Sequence, residues 1–114
     1  MSPTARTLAE LRRLGYVAEV VERWIPRTKI RVDLFGTIDV VAVREGECLG
    51  VQATSGSNAA ARLNKAKAEP RLAAWLRAGC RFEVWSWRLA GVRGARKVWT
   101  LRRVSLALEE LEAA

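Results

Sequence analysis

The run Ile38-Asp39-Val40-Val41-Ala42-Val43 is almost continuously apolar, and only Asp39 interrupts it. Such a strand is expected to be buried on both faces, because a solvated face would demand alternation. Glu45-Gly46-Glu47 then makes a tight turn, and Cys48 to Thr54 is the returning partner. A turn centred at Glu45-Gly46 places position 39 opposite position 52. Asp39 and Gln52 are therefore expected as cross-strand neighbours, with Cβ atoms roughly 4.5–5.5 Å apart. Thr54, two residues on, points to the same face.

The flanking sequence supplies the rest of a layered fold. Thr4 to Leu14 has leucines at helical spacing, Thr4 or Ser2 as cap, and Gly15 as stop. Tyr16 to Ile25 reads as one strand ended by Pro26, and Pro26 to Lys29 as a basic turn. Arg31 to Phe35 leads into Gly36. Ser55-Gly56-Ser57-Asn58 is a polar break before a helical stretch from Ala59 to Gly79, whose inner face is drawn from Leu63, Ala66, Ala74, Trp75 and Ala78. Pro70 predicts a break near Glu69, or a second helix beginning at Pro70. Arg81–Arg88 and Arg96–Val104 alternate as strands around a glycine-containing turn, and Ser105–Ala113 reads as a short last helix. The order is α-β-β-β-α-β-β with a final helix, a single α/β domain over residues 1–114 with helices flanking a mixed sheet. The helical connection between the third and fourth strands has the length of a crossover, so those two strands are expected to be parallel.

Composition narrows the chemistry. The chain of 114 residues contains no histidine, which excludes Ser-His-Asp triads, histidine general acid–base catalysis and Cys/His zinc sites. Its two cysteines, Cys48 and Cys80, form no CxxC pair and read as small buried hydrophobes. Catalysis must therefore use carboxylates, lysine, hydroxyls or a hard metal. Net charge is +8, and the excess is mostly arginine, whose fork matches phosphate geometry. An arginine-rich source proteome is the other reading of the same numbers. No apolar run reaches membrane-span length and residues 1–14 contain no signal-peptide core, so the expectation is a cytoplasmic protein, in a bacterial or phage-infected host, without a membrane partner.

The chain has only two aspartates, Asp33 and Asp39. A hard cation, Mg²⁺ or Mn²⁺, fits between the Asp39 carboxylate and the Gln52 amide oxygen, with Asp33 reaching in from the preceding loop. Asp39-Val40-Val41-Ala42 followed by Gly50-Val51-Gln52-Ala53-Thr54 resembles the core of the PD-(D/E)xK nuclease superfamily. That superfamily includes restriction endonucleases, archaeal-type Holliday-junction resolvases and small phage nucleases. The resemblance implies a restriction-endonuclease-like α-β-β-β-α-β core over about residues 4–88 and a metal-dependent endonuclease hydrolysing DNA, with branched DNA as one substrate class. It assigns Asp39 the metal-binding Asp position, Gln52 the usual Glu position and Thr54 the usual Lys position. Thr54 carries no positive charge, so Lys65 or Lys67 on the following helix becomes the candidate for the migrated lysine. The family's first-helix acid has Glu10 as its counterpart, and Glu19 and Glu22 on the first strand are alternatives. Arg23, Arg27, Lys29, Arg31 and Arg62 are the candidate DNA-backbone contacts, and a resolvase-like enzyme implies a homodimer. The alternative is a nuclease-like fold that has lost catalysis and serves as a DNA-binding or assembly module.

Five tryptophans are many for this length. Trp85 and Trp87 share one face of their strand, which Trp75 is positioned to join. Trp24 and Trp99, near arginines, are the candidates for a dimer surface or a base-stacking platform.

Overall fold

The computed structural model describes residues 1–112. Ser2 accepts a hydrogen bond from the Ala5 amide at 3.1 Å and caps α1 (Pro3–Arg13), with Pro3 in the first turn where no amide is needed. Gly15, at φ +92°, turns the chain out of the helix. The strands β1 (Val17–Val20), β4 (Val40–Arg44), β5 (Glu47–Ser55), β6 (Arg81–Ala90) and β7 (Val98–Ser105) form one sheet in the order β1-β4-β5-β6-β7. All neighbours are antiparallel except β5 and β6, which are parallel, as the crossover length predicts. A 3-10 turn (Gly56–Asn58), α2 (Ala59–Lys67) and α3 (Pro70–Arg77) make that crossover, and α4 (Leu108–Glu112) follows the sheet. Ala113, expected as the last helical residue, lies outside the described residues. No helix among the described residues is long and apolar enough to cross a membrane.

The layers explain the burial. β5 is buried from Leu49 to Thr54 because strands flank it on both sides and helices cover both faces. On one face α1 packs Leu11 against Val40, Ala42, Leu49, Val51, Trp85 and Trp87, and Trp87 Nε1 donates to the buried Thr7 hydroxyl at 3.0 Å. On the other face Ala59, Ala66 and Leu72 of the crossover helices meet Ile38, Phe82, Val84 and Leu106. In β4 burial on both faces fails towards the hairpin end, where Val43 is 43% exposed.

Three expectations are corrected. The first strand does not run from Tyr16 to Ile25. It stops at Val20, Val21 donates its amide to the Asp39 carbonyl, and residues 23–25 leave the sheet. They pair instead as β2 (Arg23–Ile25) with β3 (Ile30–Val32) in a separate two-stranded ribbon around the Pro26–Lys29 turn. The inner face of the crossover also shifts. The break before Pro70, where Glu69 caps the Arg71 amide, re-phases the second helix so that Leu72 is buried and Ala74 and Ala78 are exposed. Trp75 consequently joins the opposite layer from Trp85 and Trp87, edge-on to Phe35 with ring centroids 6.2 Å apart.

A candidate metal centre at the foot of a basic ribbon

Asp39 stands just before β4 and is 4% exposed. Its Oδ2 accepts hydrogen bonds from Gln52 Nε2 at 2.7 Å and from the Ala53 amide at 2.8 Å. The hairpin register, with Val40 opposite Val51, makes Asp39 and Gln52 the neighbours that the turn symmetry predicts. Gln52 turns its amide nitrogen, not its oxygen, towards the carboxylate. In this arrangement it clamps Asp39 and offers no oxygen to a cation at Oδ2.

Two further acids converge on Asp39. Glu22, Asp33 and Asp39 each present one carboxylate oxygen, and the three oxygens lie within 4.8 Å of one another. Glu22 immediately precedes β2 and Asp33 immediately follows β3, so they are the two feet of the ribbon. The return from the ribbon is a tight turn. Ile38 donates its amide to the Leu34 carbonyl at 2.9 Å and Gly36 to the Asp33 carbonyl at 3.0 Å. Phe35 and Gly36 follow one another at φ 53° and 71°. Glycine accepts that conformation freely, whereas Phe35 holds it under strain, beside the loop that delivers Asp33.

The electrostatics are those of a site short of positive charge. Burial pushes the Asp39 carboxyl up to about 8. Asp33 adds to this by accepting a hydrogen bond from the protonated form and repelling the ionised one, Glu22 adds repulsion, and the hydrogen bond from the Ala53 amide opposes them. Glu83 is the informative contrast. It is buried to 2% exposure, and burial alone raises its pKa. Hydrogen bonds from Arg103 at 2.7 Å, Trp85 Nε1 at 2.9 Å and Arg81 at 2.7 Å outweigh this and hold it below the ordinary carboxylate range. One buried acid is a satisfied structural anion, and the other is surrounded by acids. Three hard oxygens in one place fit an oxygen-seeking divalent cation.

The other expected site residues are distributed as follows. Thr54 is buried on the Gln52 face and pairs with Ser86 of β6. Lys65 is exposed on α2, and Lys67 pairs with Glu110 of α4 at 3.7 Å. Neither lysine is among the groups that act most strongly on Asp39. Arg23, Arg27, Lys29 and Arg31 all lie on the ribbon and are exposed, together with Trp24 and Ile30 at 50% and 52% exposure. Arg31 also reaches Glu22 at 3.4 Å and lies over the Trp24 ring. Arg62 is half-buried on α2. Glu10 pairs with Arg13 on α1 and Glu19 is exposed on β1, so of the three alternative acids only Glu22 reaches the centre. Glu22 was the residue least visible in the sequence, because a continuous first strand left its orientation open. Symmetry about the Pro26–Lys29 turn would have set it opposite Asp33, as Arg23 is set opposite Val32.

The cysteines are less buried than the sequence led us to expect. Both are free and half-buried, and burial, with Cys80 alongside, pushes the Cys48 thiol up to about 11. No family model matches this sequence, and no curated protein or solved structure matches the chain.

Proposed function

We propose that this protein is a small divalent-metal-dependent DNA endonuclease with a restriction-endonuclease-like core, in which Glu22, Asp33 and Asp39 hold Mg²⁺ or Mn²⁺. The observation that carries the proposal is the convergence of three carboxylate oxygens within 4.8 Å at the foot of a basic ribbon. The order α1, β1, β4, β5, α2–α3, β6 supports the PD-(D/E)xK reading, with β2–β3 as an insertion. A bound divalent cation supplies Lewis-acid charge at the scissile phosphate and lowers the pKa of water.

The chain's own residues do the remaining work. Gln52 and the Ala53 amide fix the Asp39 carboxylate through Oδ2. Arg23, Arg27, Lys29 and Arg31 bring positive charge to the backbone of a strand lying against the ribbon. Exposed Trp24 offers a stacking face to an unpaired base, which favours branched or locally single-stranded substrate. Two copies of the chain would address two strands, and light scattering tests that assembly.

A second reading, a DNA-binding module without catalysis, is favoured by one feature. Lys65 is exposed, Lys67 pairs with Glu110, and Thr54 occupies the position where the superfamily places its cation. Cleavage of supercoiled and four-way-junction DNA by the wild type and by Asp39→Ala distinguishes the two. The endonuclease reading expects Mn²⁺-dependent nicking that Asp39→Ala abolishes while DNA binding in EDTA persists. Binding without nicking by the wild type selects the module, and equal nicking by both proteins removes Asp39 from the mechanism.

A further inference from the structure

The sheet face that carries Gln52 and Thr54 continues onto β6 and β7. Ser86 pairs with Thr54 on one side and Arg102 on the other, and Arg88 pairs with Thr100. Alternation puts all of these side chains on one face. A cavity of about 600 Å³ opens there, lined by Gly56, Ser57, Ser86, Arg88, Thr100 and Arg102. Ser86 Oγ donates to the Gly56 carbonyl at 2.8 Å and ties the 3-10 turn to the sheet.

Among the described residues no ion pair compensates the charge of this cavity. Arg103, the next residue along, is committed to Glu83 on the opposite face. Among the described residues neither Arg88 nor Arg102 makes an ion pair, and both are exposed. Between Glu83 and Glu109 the chain has no acid and six cations.

We propose that this cavity binds a phosphate group of a nucleic-acid strand, held by the guanidinium forks of Arg88 and Arg102 with Ser57 and Thr100 as hydroxyl donors. The ligand class rests on the nuclease reading. The cavity lies two to three strands across the sheet from Asp39 and two to four residues along it, roughly 12–20 Å at ordinary strand dimensions. The phosphate it holds is therefore not the scissile one. It sets the path of the strand across the sheet end, from the acid cluster at the start of β4 to β7.

The test measures anisotropy of short fluorescent single-stranded and duplex oligonucleotides in EDTA over a salt series. Arg88→Gln with Arg102→Gln is compared with Arg93→Gln plus Arg96→Gln, an equal loss of charge in the exposed β6–β7 turn. The cavity variant is expected to bind about tenfold more weakly, with a log–log salt slope shallower by about 1. The control variant is expected to lose clearly less, and Mn²⁺ affinity is expected to be unchanged in both. Wild-type affinity in the cavity variant, or an equal loss in the control, overturns the assignment. If inorganic phosphate broadens its ³¹P signal through Arg88 and Arg102 while oligonucleotide affinity ignores them, the cavity serves free phosphate and the nucleic-acid assignment is wrong. Failure of the nuclease reading has a different signature, a wild type that binds no Mn²⁺, and the metal-free binding arm is independent of that result.

Discussion

Replacing Asp39 with Asn should make the metal-free protein more stable at mildly alkaline pH while abolishing its response to divalent metal. Asn keeps the shape and can still accept from the Ala53 amide, which now reaches Asp39 at 2.8 Å. It removes only the titrating charge. In the native protein the Asp39 carboxyl is pushed up to about 8 from the ordinary 3.8, by burial and then by Asp33 and Glu22. Between those values the native state holds a proton that the unfolded chain has released. Stability is therefore fully present below the unfolded pKa and falls as pH rises to the folded one, at roughly 1 kcal/mol per pH unit. Over that window the loss reaches a few kcal/mol, a large part of a small domain's stability. Urea denaturation followed by the fluorescence of buried Trp85 and Trp87 measures it. In EDTA the wild type should weaken from about pH 5 to about pH 8, and Asp39→Asn should stay nearly flat and be the more stable protein at the alkaline end. Saturating Mn²⁺ should narrow that gap, adding about 2.7 kcal/mol to the wild type at a hundredfold excess over Kd and nothing to the variant. A wild type with no more pH dependence than the variant, or a variant that is weaker at pH 8 in EDTA, refutes the crowding of carboxylates on which this reasoning depends.

Two further substitutions separate the site from its scaffold. Glu83→Gln exchanges a buried anion for a neutral acceptor and should cost roughly 1–3 kcal/mol at neutral pH. Because the Glu83 pKa is lowered, the difference should shrink as pH falls through the acid range, and urea curves at neutral and acid pH would show it. Gly50→Ala places a Cβ 2.8 Å from Ile38 Cδ1 and 3.2 Å from Trp75 Cζ2, where buried Ile38 cannot retreat. It should cost about 1–3 kcal/mol in thermal or urea unfolding and weaken Mn²⁺ binding, since Ile38 directly precedes Asp39.

The parts of this molecule legible in its sequence are those governed by local geometry. Pro70 had to break the crossover helix, because proline removes an amide and clashes within a helix. The Glu45-Gly46 turn had to set Asp39 against Gln52, because a hairpin's register follows from its turn. What stayed hidden depends on pairing across distance. The apolar alternation through Val21 gave no sign that the chain leaves the sheet there, since the break follows from β2 finding β3. Glu22 therefore looked like one more strand residue. The pairing of Ser86 with Arg102 and of Arg88 with Thr100 required the β6–β7 register, which a turn of seven exposed residues from Gly91 to Lys97 leaves undetermined in sequence. The placement of Lys67 belongs to the same class, because its pairing with Glu110 of α4 is a tertiary effect.

The central claim is that Glu22, Asp33 and Asp39 form a divalent-cation site. Anomalous diffraction from crystals grown with millimolar Mn²⁺ tests it most directly. The account predicts one strong Mn²⁺ peak enclosed by those three carboxylates and absent from Asp39→Asn crystals. A fully ordered acid cluster without a peak, or a Mn²⁺ ion bound elsewhere and indifferent to Asp39, would contradict it.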